Sequence, residues 1–475
     1  MIVSLLFCLL MAFTTAIDLM EYKLSGGFQS NSFTTTVSIG TRSGSGGPVM
    51  SFVLLLDLES SSTLIPSVKC DNCKSGAGYD RELSESEELI LCDASYCDKN
   101  NKKYCPNNHS IWNQCCSNYE HAMCGWNSKS GEFHSSYYAE GSIIKDTFVF
   151  ASNRFSSYFV DVFNSTFEEL PGSAVGVLGL GEKSCNPTCI DPIYNSIRDS
   201  LPWATDVFTM CFGLKEGVLS FGMVNPKFQK GRAFYTTQIP NELGYTYSVV
   251  NLKVNNETFL RRIDDYSAMI TSTDNYIRLP NALFKRWVDF MKDHYGDLPG
   301  VKNGTLFEGL KLTSLSGFPS FDIQFSGVLL HLSRYQYFIR TGPSVNEWTL
   351  GILPTEDKRV SLGLAFMRGF VTIFDQQQTG FATVNKANCF GSDDLEGIGT
   401  VEWAPEVHHD PKRHFTFLVI CIIIMGIVIV ISLTMLIVLY RKQQKRVNAF
   451  QYSNLESLPN TVFCFCSNKH SLAYN

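Results

Sequence analysis

The sequence predicts a mostly-β molecule of two lobes, followed by one membrane-spanning helix. Short runs rich in β-branched and aromatic residues recur between Gly, Pro, Asn and Ser turn signals, and only Asp191–Ser200 and Ala282–His294 read as helices. The 475 residues accommodate two ordinary domains with appendages, and 44% apolar content is enough for full cores. Phe415–Tyr440 is an uncharged apolar run of 26 residues, long enough to cross a bilayer with some tilt.

From the N-terminus, Met1–Ala16 is apolar and ends in Thr14-Thr15-Ala16, the small-residue pattern of a cleavable signal peptide. Phe33–Thr41 alternates as a half-buried strand should, and Gly44–Pro48 makes a turn. Phe52-Val53-Leu54-Leu55-Leu56 reads as a strand buried on both faces, and it delivers Asp57 into a hydroxyl-rich turn, Ser60-Ser61-Ser62-Thr63. A buried strand carries an acid into a core only where something pairs or uses it, unless the acid simply starts a turn. Beyond the apolar run, Arg441, Lys442, Lys445 and Arg446 place residues 441–475 in the cytosol by the positive-inside rule, giving a single-pass type I protein of the secretory or endolysosomal pathway or cell surface.

Twelve cysteines are expected on the lumenal side: Cys70, Cys73, Cys92, Cys97, Cys105, Cys115, Cys116, Cys124, Cys185, Cys189, Cys211 and Cys389. In an oxidising compartment an even count reads as disulfides rather than zinc, despite the Cys70-x-x-Cys73 spacing, so no metal or other cofactor is expected. Sequons at Asn108, Asn164, Asn256 and Asn303 all fall in the same ectodomain and are candidate glycosylation sites. The net charge of −6, with no basic stripe, argues against nucleic acid as a partner. His408 and His409 read as part of a solvated stalk.

The Asp57 segment resembles the first active-site loop of pepsin-like aspartic proteases, where the strand ends in Asp-Thr-Gly-Ser/Thr. Ala268–Pro280 resembles the second loop, with Thr271-Ser272-Thr273-Asp274 where the family has Asp-Ser/Thr-Gly-Thr. Tyr137–Ser142 resembles the family's flap, a strand entering a Gly-containing turn, which assigns Tyr138 to substrate closure; the Trp that often supports this Tyr is replaced by Leu64. Val360–Phe370 and Thr372–Asp375 resemble the family's Leu-Gly-x-x-Phe-x-Arg block nearly residue for residue. The cysteine-rich insert, 70–124, is similar to that of the nepenthesin and plasmepsin V-like, membrane-anchored type. By resemblance to anchored relatives, Cys211 pairs with Cys389. The resemblance implies a bilobal fold with lobes at 28–215 and 216–395, then a stalk at 396–414.

The family's reaction needs two carboxylates sharing one proton, one to activate water and one to protonate the scissile carbonyl. Asp57 is the retained first acid, whereas Thr271 stands at the place of the second and supplies none. Leu58 also lacks the hydroxyl that cross-links the loops in the family, and Glu59 and Thr273 replace glycines. If the loop shifts, Asp274 is the candidate substitute acid, ahead of Glu59. Two function classes follow: a catalytically inactive pseudoprotease that binds peptide or protein in the lumen or extracellular space through its cleft or insert, and, as the alternative, a membrane-bound aspartic endopeptidase with an altered dyad. In the tail, Tyr452-Ser453-Asn454-Leu455 resembles the Tyr-x-x-apolar signal read by clathrin adaptors.

Overall fold

The computed structural model describes residues 20–27, 32–44, 47–73, 78–91, 94, 124–127, 138–150, 153–167, 170–182, 190–240, 242, 244–261, 266–340, 347–375, 377–389, 397–405 and 425–445. The expected signal peptide, Asn108, His408, His409, Tyr452–Leu455 and Cys92, Cys97, Cys105, Cys115, Cys116, Cys185 and Cys189 lie outside these residues. The chain divides into Met1–Val407 and His408–Asn475.

The apolar run forms the strand Pro48–Asp57, with Phe52, Leu54, Leu55 and Leu56 buried. It pairs antiparallel with Ser32–Thr41 and parallel with Gly176–Gly179, where Asp57 stands opposite Gly179. A Cβ at Gly176 would strike the Leu64 carbonyl and one at Gly179 the Ser62 carbonyl. These two glycines therefore let residues 61–64 pass tightly against the strand that pairs with the acid-bearing one.

The parallel pairing recurs in the second half, where Ser267–Ile270 lies beside Val360–Leu362 and Thr271 follows directly. Gly363 repeats the close approach, because a Cβ there would meet the Asp274 carbonyl. Two five-stranded sheets build this half. One joins Thr246–Ser248, Ser267–Ile270, Val360–Leu362, Ile277–Pro280 and Ile352–Thr355; the other joins Glu257–Arg261, Asn251–Val254, Phe321–Phe325, Val328–Leu332 and Thr400–Trp403.

A 14-stranded sheet carries strands from both halves of the sequence. Phe370–Phe374 pairs with Phe208–Phe212, which pairs with Glu216–Phe221, and that strand pairs with Met20–Gly27. The hairpin of Phe208–Phe212 and Glu216–Phe221 thus straddles the expected 215/216 border. Met20–Gly27 is a strand ahead of the expected lobe start; Met20, Tyr22 and Leu24 alternate with polar residues and are buried, and the strand pairs with a segment two hundred positions away. At the junction Phe208 stacks on Phe374 at 4.7 Å between ring centroids, and Tyr245 meets Phe374 at 4.5 Å, so the core is continuous across both halves.

The two expected helices form at Ile193–Ser200 and Asn281–Tyr295. In the second, Leu283, Trp287 and Met291 recur every four residues and are the buried face. Arg368, within the Leu-Gly-x-x-Phe-x-Arg block, is fully buried, and its guanidinium donates to the Tyr335, Gln336 and Phe338 carbonyls. Cys211 and Cys389 are joined by a disulfide, as are Cys70 and Cys73; Cys124 is also disulfide-bonded. In the second unit, Met425–Lys445 is a helix long and apolar enough to cross a membrane, and it continues past Tyr440 through Arg441, Lys442 and Lys445.

Candidate active site

Asp57 ends its strand with only 2% of its surface exposed. Its Oδ1 accepts the backbone N–H groups of Glu59 at 2.8 Å and Ser60 at 3.3 Å, which fixes the turn. Burial first, and the Glu59 charge second, push the Asp57 carboxyl up to about 7 against these two stabilising N–H groups. The acid is therefore poised to hold a proton below about pH 7.

Thr271 is equally buried, at 2% exposure. Its hydroxyl donates to Glu59 Oε1, and the Thr273 hydroxyl donates to the same oxygen at 3.0 Å. The two hydroxyls lie 3.0 Å apart, and the Thr273 N–H donates to Thr271 Oγ1 at 3.2 Å. The second carboxylate beside Asp57 is thus Glu59, carried on the same loop and held by the opposite one.

Asp274 sits elsewhere. One of its oxygens accepts Arg278 Nε; the other accepts the Tyr276 N–H at 3.1 Å and Arg278 Nη2 at 3.4 Å. The ion pair with Arg278 and the turn bond occupy both oxygens, and Glu59 rather than Asp274 is the carboxylate that meets Thr271. Glu59 has one methylene more than Asp, which gives it reach across the gap. The spacing of Asp274 and Arg278 was visible in sequence; the Glu59 contact, between residues 212 positions apart, was not.

One half of an inter-loop cross-link is present. Ser272 Oγ donates to the Leu56 carbonyl at 2.8 Å and accepts the Leu58 N–H at 3.0 Å, both buried. Leu58 is fully buried and has no hydroxyl with which to reciprocate. A second tie between the halves runs from the Tyr245 hydroxyl to the Leu180 carbonyl at 2.7 Å.

Tyr138 precedes the strand Ala139–Phe150. Its N–H donates to Thr166 Oγ1 at 2.9 Å, and its hydroxyl donates to Glu140. The expected turn at Glu140–Ser142 is instead a bulge between Glu140 and Gly141 in a continuous strand, paired with Gly125–Asn127 on one side and Asn153–Ser165 on the other. Pairing on both sides holds this segment in the sheet; residues 131–137 lie outside the described residues.

Beyond the cleft floor, the Tyr79 hydroxyl donates to buried Asp146 at 2.6 Å, and Arg81 holds Asp161 through Nε at 2.9 Å and Nη2 at 2.6 Å. Burial pushes Glu87 up to about 7 and Asp161 up to about 6, the latter against the pull of Arg81. Glu182 is likewise raised to about 7 by burial. Asn256 and Asn303 are exposed, whereas Asn164 is half-buried in its strand, with Nδ2 3.4 Å from Glu140. Among the described residues, no three of His, Cys, Asp or Glu are grouped to hold a metal ion.

No curated protein matches the chain. The family model of eukaryotic aspartyl proteases matches residues 32–384, which contain both acid loops, the paired parallel strands and the Arg368 block. That match spans more than half of the chain and agrees with the fold: this protein belongs to the eukaryotic aspartyl protease family.

Proposed function

We propose that this protein is a type I membrane glycoprotein whose pepsin-like cleft binds an extended peptide or protein segment without cleaving it. The observation that supports this reading is at Thr271. Where the family reaction needs a second acid facing Asp57, the second loop offers a hydroxyl already donated to Glu59. Asp274 is engaged by Arg278 and is not free to take the role.

The fold retains what a binding cleft requires: a continuous core, a loop cross-link at Ser272 and a hydrogen-bonded floor at Thr271 and Thr273. The lumen or the cell exterior is the proposed place of binding, with Asn256 and Asn303 the exposed glycan acceptors among the described residues. The test is retention of a diverse synthetic peptide library on immobilised ectodomain. A reproducible subset should be held intact and lost from Thr273→Arg, which fills the floor with a bulky side chain. Retention no greater than by an unrelated glycoprotein would sink the binding reading.

A second reading keeps catalysis. The Asp57 and Glu59 carboxylates share one loop, and the Glu59 charge raises Asp57; a pair rebuilt in this way would be an altered dyad for aspartic-type proteolysis. This alternative replaces the expected Asp274 partner with Glu59. It predicts cleavage that depends on both acids.

A further inference from the structure

We propose that the cleft floor contains an oxygen-acceptor subsite formed by the Thr271 and Thr273 hydroxyls, and that the Glu59 side chain occupies it as an internal competitor of the ligand. The inference rests on the peptide-binding reading above and deepens it by naming the chemistry that the floor recognises.

The geometry carries the argument. Two hydroxyls on the second loop converge on one carboxylate oxygen from the first, 212 and 214 positions away in sequence. Thr271 is buried, and its Oγ1 is fixed by the Thr273 N–H, so the donor direction is preset. A preset pair of donors is a recognition element for a carbonyl or hydroxyl oxygen of a peptide backbone. Glu59 is only half-buried, on a loop whose turn is secured independently by Asp57 Oδ1. Its side chain is therefore free to leave without unmaking the turn.

A ligand oxygen and the Glu59 carboxylate seek the same two donors. Binding therefore requires Glu59 to withdraw, and the wild-type protein holds its ligand more weakly than the scaffold permits. Shortening the side chain removes the competitor, whereas Glu59→Gln keeps both its volume and an accepting oxygen.

The test uses pepstatin, a peptide with a central hydroxyl, as the probe, with affinity measured by calorimetry on the purified ectodomain at pH 5. Glu59→Ala should bind at least tenfold more tightly than wild type, and Glu59→Gln within threefold of it. In a Glu59→Ala/Thr273→Val background the gain should shrink, because one of the two donors is gone. Equal or weaker binding by a folded Glu59→Ala overturns the competitor role while leaving the binding cleft intact. If Glu59→Ala does not fold, Glu59→Ser carries the same comparison. Absence of pepstatin binding by all variants, together with no peptide retained from the library, overturns the cleft reading itself and this inference with it.

Discussion

Replacing Ser272 by alanine isolates the tie between the two acid loops. The side chain is buried, and its oxygen makes two bonds to the opposite loop, donating to the Leu56 carbonyl and accepting the Leu58 N–H. Alanine leaves the Leu58 N–H buried without that acceptor, a loss of about 1–3 kcal/mol, and the Leu56 carbonyl loses one donor, worth about 1 kcal/mol. The expected destabilisation is therefore about 2–4 kcal/mol, large for the removal of a single oxygen. Equilibrium urea unfolding of the ectodomain measures it, read at unchanged m-value so that the shift reports stability alone. Ser272→Thr, which keeps the hydroxyl, should recover most of the loss. A Ser272→Ala ectodomain within about 0.5 kcal/mol of wild type would refute the argument that this one-sided cross-link holds the loops together.

Glu59→Gln should lower the Asp57 pKa from about 7, because it removes the second cause of the rise, while burial keeps the group above the ordinary carboxylate range. An NMR titration of carboxyl-labelled aspartate reads this directly, and an unchanged value would place the two carboxyls too far apart to interact. The ectodomain should also be more stable in acid than at neutrality. Asp57, Glu87, Asp161 and Glu182 have folded values of about 7, 7, 6 and 7, raised above the ordinary 3.8 for Asp and 4.5 for Glu. The folded chain therefore binds more protons than the unfolded chain across this window, and stability falls as pH rises through it. The urea midpoint should be higher at pH 5 than at pH 7.5, and the opposite order would contradict the assignment. Removing the Cys211–Cys389 bridge, which spans 178 positions, should cost about 5 kcal/mol by loop-closure entropy. A double Cys→Ala ectodomain with unaltered urea midpoint would show that the bridge constrains nothing.

Local pattern made part of this molecule legible. The buried run ending at Asp57, the helix at Asn281–Tyr295 and the Arg368 block each follow from residues close in sequence, and each forms where their pattern places it. The strand Met20–Gly27 carries its own alternation of apolar Met20, Tyr22 and Leu24 with polar Glu21, Lys23 and Ser25, but its partner, Glu216–Phe221, lies in a distant part of the chain and could not be read from that pattern. The turn expected at Glu140–Ser142 gave way to a bulged strand because neighbours on both sides satisfy its backbone. At the site, residue identity revealed that Thr271 brings no carboxylate. It did not reveal that Glu59 fills the gap, since that contact depends on how two folded loops face one another, whereas Arg278 stands four positions after Asp274 in the same segment.

The account stands or falls on whether the cleft performs hydrolysis. The direct measurement is mass spectrometry of a diverse peptide library incubated with purified ectodomain from pH 3 to 7, with Asp57→Ala, Glu59→Ala and Asp274→Ala ectodomains run in parallel. The account predicts no product above the Asp57→Ala background at any pH. Cleavage by wild type that disappears with Asp57→Ala and with either of the other two substitutions would contradict it and identify a working, rebuilt acid pair.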